Sequence, residues 1–169
     1  EGKSVTGVSI MVMDEGMDTG PVLCQEEYKI GSTETAAGLS GRLFAAGGSI
    51  LVDVLPKWMS GKLAPTAQDE SKATSTGKVK RHDGAANWEL GASLLERRVR
   101  AFYPWPSLYS WWRGRLIKIL KAKVANVFIK GSVGEVVYLD TAPVPVGVLT
   151  GDGVLMLETI QIEGRSPMS

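Results

Sequence analysis

The stretch Met13-Asp14-Glu15-Gly16-Met17-Asp18-Thr19-Gly20-Pro21 decides how the first part of this chain folds. It separates two apolar runs, residues 8–12 and 21–25, and the pattern predicts two strands over residues 5–30 that are joined by this turn. The two glycines permit the tight or left-handed backbone that such a turn needs. A carboxylate on the turn can point into a cleft, where it can take part in proton transfer. Thr-Gly also marks ordinary hairpins, so the stretch alone leaves both a functional turn and a plain one open.

A long helix is predicted after the second strand. Ser32 and Thr33 can cap its start, and Glu34 in the first turn would complement the helix dipole. The pattern predicts that the helix ends at Ser60-Gly61. Glycines inside it lower its intrinsic stability by roughly 1 kcal/mol each relative to alanine, but they also allow close approach to a sheet. One apolar face recurs at steps of three and four residues, and it consists of Leu39, Leu43, Ala46, Ile50, Val54 and Trp58.

The second half of the chain reads as a short helix followed by a small β domain. The helix is predicted over residues 90–102, and Pro104 and Pro106 terminate it. Short apolar runs then alternate with glycine-rich turns, which favours an antiparallel barrel or sandwich. The predicted strands cover residues 107–112, 115–124, 134–139, 146–150 and 154–162. The sequence therefore predicts an α+β chain of three parts, which are residues 1–61, a polar linker over residues 62–82, and residues 83–169.

Composition excludes several classes of protein. The chain has 169 residues, of which 44% are hydrophobic, as expected for a globular protein with a core. No uninterrupted apolar run approaches the ~20 residues that span a bilayer. The single cysteine, Cys24, excludes an internal disulfide framework, fits a reducing compartment and is expected to be a small buried hydrophobe. The only histidine, His82, lies in a polar setting and lacks partners for a metal site, so we expect an exposed side chain and no metal.

Charge is distributed unevenly along the chain. Residues 78–130 carry twelve Lys or Arg against three Asp or Glu, a net of +9, whereas the whole chain has a net charge of +1. Clustered cations neutralise a phosphate backbone, so this segment predicts contact with nucleic acid. Four aromatic residues lie inside the same segment, and we expect them to be core residues. They are Trp105, Tyr109, Trp111 and Trp112.

The order and spacing of several short motifs resemble the methionyl-tRNA formyltransferase family. The motifs are T-G-V-S-I-M at 6–11, M-D-E-G-M-D-T-G at 13–20, A-T at 73–74, V-R-A-F at 99–102, P-W-P at 104–106, L-I-K-I at 116–119 and T-G-D-G at 150–153. Each is modestly specific, but together they cover nearly the whole chain. The resemblance implies the last part of a Rossmann-like formyltransferase domain, a linker, and an OB-like domain that binds tRNA.

The resemblance also implies a chemistry and its residues. Family members transfer a formyl group from 10-formyltetrahydrofolate to initiator methionyl-tRNA with an asparagine, a histidine and an aspartate. The aspartate corresponds to Asp18, and Gly16 and Gly20 would keep the turn open for the folate. Asp14 would shape the turn. The residues implied for tRNA contact are Lys78, Lys80, Arg81, Arg97, Arg98 and Lys118, with Lys121 and Lys123 as weaker candidates.

The asparagine, the histidine and a Ser-Leu-Leu-Pro segment belong to upstream sequence of the family, so the N-terminal half of the catalytic domain is expected to be a missing partner. The chain alone is expected to be inactive and the protein to be cytoplasmic. Two alternatives stay open. One is a related folate-dependent formyltransferase that acts on an amino sugar, and the other is a non-catalytic tRNA-binding remnant.

Overall fold

The structure, a computed structural model, describes residues 2–125, 127–139 and 145–169. The chain forms two compact units, Lys3–Gly77 and Lys78–Ser169. The first unit combines a two-stranded sheet with a long helix, and the second combines a short helix with a five-stranded sheet. The predicted α+β organisation, with a partial α/β segment and a small antiparallel β domain, is confirmed.

Two antiparallel strands flank the turn in the first unit, as the sequence predicts. Strand β1 spans Val5–Met11 and β2 spans Val22–Lys29, with Ile10 opposite Cys24 and Met11 opposite Val22. The register shifts between these two pairs, which produces a bulge at the entrance to the turn. The turn therefore leaves the sheet from an irregular position rather than as a simple two-residue hairpin.

Helix α1 spans Ala36–Met59 and packs on this small sheet. Its buried residues, Ile50 and Val54, belong to the predicted apolar face. At Gly47 the helix approaches β1 closely, since an added Cβ would lie 3.3 Å from Cγ1 of Val8. The expectation that a glycine permits close approach to the sheet is thus confirmed at this position.

The start of α1 differs from the sequence prediction. Thr35, and neither Ser32 nor Thr33, caps the helix by accepting a hydrogen bond from the Gly38 amide at 3.3 Å. Glu34 lies before the helix, where its carboxylate pairs with Arg42 at 2.9 Å. The C-terminal end agrees with the prediction, because Ser60 is the C-cap residue.

A second apolar stripe on α1 is exposed, which the sequence did not predict. Its most exposed members are Phe44, Val52 and Met59, at 84%, 73% and 76% exposure. By length and composition alone, α1 is also the one helix in the described part of the chain that could cross a bilayer, a test that core helices of soluble proteins also pass. Its apolar residues form no uninterrupted run because Arg42 and Asp53 lie among them.

The five-stranded sheet of the second unit is antiparallel. Its strands are β3 (Leu108–Trp112), β4 (Arg115–Ala125), β5 (Val136–Tyr138), β6 (Val146–Leu149) and β7 (Val154–Ile162). Their order in the sheet is β3-β4-β7-β6-β5. Helix α2 spans Ala92–Ala101 and is followed by a turn that contains Pro104 and Pro106. All five strands lie within or very close to the predicted ranges.

The main core of this unit lies between α2 and one face of the sheet. Helix α2 contributes Leu95 and Val99, and the sheet contributes Leu108, Ile119 and Leu155, all of them 3% exposed or less. Because side chains alternate along a strand, the residues adjacent to Leu108 and Ile119 point to the opposite, outer face. This alternation divides the basic residues of the unit between two surfaces.

The expected burial of the aromatic residues is wrong in three of four positions. Tyr109 is buried, at 8% exposure, but Trp105, Trp111 and Trp112 are exposed by 60%, 61% and 46%. The two neighbouring tryptophans lie at the hairpin end of β3, beyond the reach of the core formed with α2. Sequence hydrophobicity alone could not reveal this position.

Candidate functional site

Asp14 shapes the turn between β1 and β2. Its Oδ1 accepts hydrogen bonds from the Gly16 amide at 3.0 Å and from the Thr19 hydroxyl at 2.8 Å. An aspartate that accepts a bond from the amide two residues on forms an Asx turn, which competes well with a regular hairpin. The structure therefore gives Asp14 the turn-shaping contacts that the sequence analysis assigned to it.

The two predicted glycines are needed for the shape of this turn. A Cβ at Gly16 would collide with the Thr19 side chain, and one at Gly20 would collide with the carbonyl oxygen of Val12. The position of Gly20 thus requires glycine because of a contact with backbone, whereas a side chain at Gly16 would displace the Thr19 hydroxyl that bonds to Asp14. Their predicted contact with a folate remains a prediction.

Asp18 lies at the exposed end of the turn, with a positive φ of 58°. Aspartate is among the residues that adopt this left-handed conformation most readily. In the described part of the chain, no group hydrogen-bonds to the Asp18 carboxylate, whereas its backbone oxygen is held. The side chain is therefore available to a ligand while its backbone is fixed.

Gln68 fixes that backbone, although it lies in a polar stretch whose sequence pattern predicts only a linker. Its Nε2 donates to the carbonyl oxygens of Asp18 at 2.8 Å and Gly20 at 2.7 Å. The segment around Gln68 is positioned by a two-way backbone bridge between Thr66 and Val22, with both N–O distances 2.8 Å. The polar segment that reads as a linker thus closes one side of the turn.

A cavity of about 550 Å³ opens beside this arrangement, entirely within the first unit. Asp18, Gln68 and Cys24 line it, so Cys24 is half-buried at a cavity wall rather than buried in a core. Two further acids, Asp69 and Glu70, face the same space. Hydrogen bonds to Asp69, the strongest from Ser71, hold the pKa of its carboxyl below the ordinary value.

The predicted basic residues of the second unit fall into three places. Lys78, Lys80 and Arg81 are exposed at the start of the unit, before and within a short 3-10 helix, Arg81–Gly84. Arg97 and Arg98 are half-buried on α2. Lys118 lies on β4.

Lys118 and the two arginines of α2 do not share a surface. Lys118 is next to Ile119, whose side chain faces α2, so the lysine points to the outer face of the sheet. The segment that follows Arg81 lies nearer to Lys118, because Ala86 donates to the Tyr109 carbonyl at 2.8 Å and Tyr109 pairs with Lys118.

Lys121 and Lys123, the weaker candidates, are engaged within the protein. Both pair with Glu158, Lys121 at 3.3 Å and Lys123 more closely. The Glu158 side chain is only 10% exposed, and its bond to Lys123 is the main cause that lowers the pKa of its carboxyl. Their charges are thus partly neutralised before any polyanion approaches.

His82 is exposed, with 74% of its side chain accessible, as expected. Its nearest acid is Asp83, at 3.5 Å. Among the described residues, no three His, Cys, Asp or Glu side chains are grouped so that they could hold a metal ion.

Comparison with known proteins places both units in one family. Residues 78–169 match the family model described as "Formyl transferase, C-terminal domain", and residues 1–55 match the model described as "Formyl transferase". The chain is 40% identical over 168 residues to the methionyl-tRNA formyltransferase of Chloroflexus aurantiacus. The aligned region covers 99% of this chain and 54% of that protein. The chain thus spans about half the length of the curated relatives it matches.

Solved structures share the fold at lower identity. The structure of HypX from Aquifex aeolicus in complex with tetrahydrofolic acid superposes on this chain with a TM-score of 0.69 and 21% identity. The superposed region covers 99% of this chain and 29% of HypX. An N-formyltransferase from Helicobacter canadensis, in complex with folinic acid and dTDP-3-aminofucose, covers 92% of this chain and 56% of its own, with a TM-score of 0.68 and 17% identity. At these identities the likeness extends to the fold alone.

Proposed function

The chain belongs to the formyltransferase family, and we propose that the protein of which it is a part transfers a formyl group from 10-formyltetrahydrofolate to the amino group of initiator methionyl-tRNA. One observation carries the proposal, namely the 40% identity to a methionyl-tRNA formyltransferase over 99% of the chain. The net charge of +9 that residues 78–130 carry supports a polyanionic substrate over a small one.

In this proposal Asp18 is the catalytic residue that the chain supplies. Formyl transfer to an amine passes through a tetrahedral oxyanion and requires a proton to leave the attacking nitrogen. A carboxylate can orient an imidazole, stabilise its positive charge and help to move that proton. The carboxylate of Asp18 has no hydrogen-bond partner among the described residues, lies at the edge of a cavity and is carried by a backbone that Gln68 fixes, which suits this role.

The same cavity is the proposed place for the folate. Its volume of about 550 Å³ falls in the range of ordinary ligand pockets. Donor groups on a folate ring would find acceptors in Asp18 and in the acids Asp69 and Glu70. Gly20 would allow the ligand to approach the backbone of the turn, in addition to its role in the turn itself.

We also propose that the 169-residue chain is inactive by itself. The resemblance assigns an asparagine and a histidine to sequence outside it, and one member of a proton relay retains little catalysis. The exposed apolar stripe of α1 supports the view that more protein packs around this unit, since a contiguous apolar surface usually marks an interaction site. A cytoplasmic location is part of the same proposal.

The direct test is formylation of initiator methionyl-tRNA with 10-formyltetrahydrofolate by the whole protein. Asp18→Asn should lower the rate of formyl transfer by about 100- to 10,000-fold, the usual size of a proton-transfer contribution. Glu15→Gln is the matched control, because Glu15 lies on the same turn, is exposed and is not among the described residues that line the cavity. Equal rates for both variants would refute the role of Asp18.

Two alternatives are separated by the same reagents. A dTDP-amino sugar that is formylated while methionyl-tRNA is not would favour the sugar formyltransferases, whose fold this chain shares. Salt-dependent tRNA binding by the whole protein without any formyl transfer would favour a non-catalytic tRNA-binding protein.

A further inference from the structure

Trp111 presents an open aromatic surface on the outer face of the sheet. Its side chain is 61% exposed, whereas Tyr109, two residues before it on the same face, is 8% exposed. The two rings meet edge to face, with centroids 5.2 Å apart and planes at 82°. Tyr109 therefore supports the indole from one edge and leaves most of the ring accessible.

A cation without an ion-pair partner in the described part of the chain lies on the same face. The register places Tyr109 opposite Lys118 and Trp111 opposite Leu116. Residues directly opposite each other in an antiparallel pair share a face, so Lys118 is the diagonal neighbour of Trp111, about 7–8 Å away. The indole and the ammonium group thus form one surface unit.

The β3-β4 hairpin that carries this unit is basic in sequence. Residues 108–125 contain five Lys or Arg and no Asp or Glu, although two of the five, Lys121 and Lys123, are paired with Glu158 of β7. The turn of the β3-β4 hairpin is Arg113-Gly114, and both residues have positive φ, at 49° and 74°. An exposed aromatic ring among cations matches the construction of surfaces that bind single-stranded nucleic acid, where bases stack and phosphates are neutralised.

We propose that Trp111 stacks against an unpaired nucleobase of the tRNA while Lys118 contacts an adjoining phosphate. This inference rests on the proposed function, because it takes the same polyanion as its ligand. The balance of charge favours RNA over a protein partner here, since the β3-β4 hairpin carries five cations and no acid. Against these stands the one exposed acid in the described part of β7 and the turn that follows it, Glu163, whose amide bonds to the Leu116 carbonyl.

The other two exposed tryptophans of the second unit are less suited to stacking with RNA at this face. Arg113 already lies over the Trp112 ring, with the guanidinium carbon 4.7 Å from its centroid, and Trp112 is directed to the opposite face from Trp111. Trp105 lies outside the sheet and has no paired lysine in the strand register. It is exposed to the same extent as Trp111 and so provides a matched control.

The test measures binding of the whole protein to tRNA and to a blunt RNA duplex that has no unpaired bases. We expect Trp111→Ala to weaken tRNA binding by about 5- to 150-fold, to leave the duplex affinity unchanged, and to leave the salt dependence of tRNA binding unchanged. Trp111→Phe should keep the tRNA affinity but lose part of the fluorescence quenching that accompanies stacking. Trp105→Ala should behave as the unmodified protein.

Several results would overturn the inference. If Trp111→Ala leaves the tRNA affinity unchanged, and formylation and Lys118-dependent binding are intact, then Trp111 does not stack on a base. The proposed function would stand in that case. If Trp111→Ala instead abolishes self-association and leaves tRNA binding intact, the surface is a protein interface. If the unmodified protein neither binds nor formylates tRNA, the proposed function fails and this inference fails with it.

Discussion

The side chain of Gln68 holds the backbone of Asp18, fifty residues earlier in the chain, through a hydrogen bond of 2.8 Å from its Nε2 to the Asp18 carbonyl oxygen. The same nitrogen donates to the carbonyl oxygen of Gly20 at 2.7 Å, so one amide clamps both ends of the D-T-G segment. This relationship ties the proposed catalytic carboxylate to a segment that has little apolar character of its own.

Removing this clamp should loosen the turn. Gln68→Ala removes two hydrogen bonds from partly exposed carbonyl groups, which should lower the free energy of local opening by about 1–2 kcal/mol. The measurement is hydrogen exchange at the Val12 amide, which donates to Pro21 at the base of the turn. Gln25→Ala removes one bond on β2 and is the control; equal protection of Val12 in both variants would contradict the clamp.

Neighbouring glycines in α1 should respond differently to alanine. Gly48 has open space around the position of a Cβ, so Gly48→Ala should stabilise the helix by about 1 kcal/mol. A Cβ at Gly47 would crowd Val8 at 3.3 Å, and overpacking of this kind should offset that gain. Urea unfolding followed by far-UV circular dichroism compares the two variants. If the Gly47→Ala protein is as stable as the Gly48→Ala protein, the contact between the introduced methyl group and Val8 does not lower the free energy of unfolding, and the predicted overpacking is absent.

The Glu158 ion pairs should make the β domain sensitive to acid. The carboxyl has a pKa below its ordinary value of 4.5, mainly because of Lys123, so its stabilising contribution is full above pH 4.5 and is lost as the pH falls through the lower, folded-state pKa. Glu158→Gln should make the free energy of unfolding less dependent on pH in this range. Glu163→Gln removes the same charge from an exposed position and should leave the pH dependence unchanged. Urea unfolding at several pH values, followed by tryptophan fluorescence, provides the measurement.

Two lysines on β4 should contribute unequally to tRNA binding. Lys118 has no ion-pair partner in the part of the chain that the structure describes, so Lys118→Ala should reduce the salt slope of binding by about 1. Lys121 is already paired with Glu158, so Lys121→Ala should change the slope less. Binding titrations at four or more salt concentrations distinguish the two variants. A larger effect for Lys121 would contradict the partial neutralisation by Glu158.

The strands and helices could be predicted largely from local patterns. Val154–Ile162 agrees with its predicted range because a Gly-Asp-Gly turn precedes a short, mainly apolar run. The face of α1 that contains Ile50 and Val54 followed from steps of three and four residues. The cap was displaced from Ser32 and Thr33 to Thr35 because Glu34 bonds to the Gly31 amide and to Arg42 and so remains outside the helix.

The amino-acid sequence by itself determined where the turn of Asp18 lies, which residues build each strand, and that residues 78–130 carry the positive charge. Only the tertiary structure decided that Gln68 holds this turn and that Trp111 remains open to solvent. It also decided that Lys121 and Lys123 are paired, whereas Lys118 has no ion-pair partner in the residues that the structure describes. The physical reason is that local periodicity specifies which face a side chain takes, whereas its neighbours on that face come from distant segments that strand pairing and packing bring together.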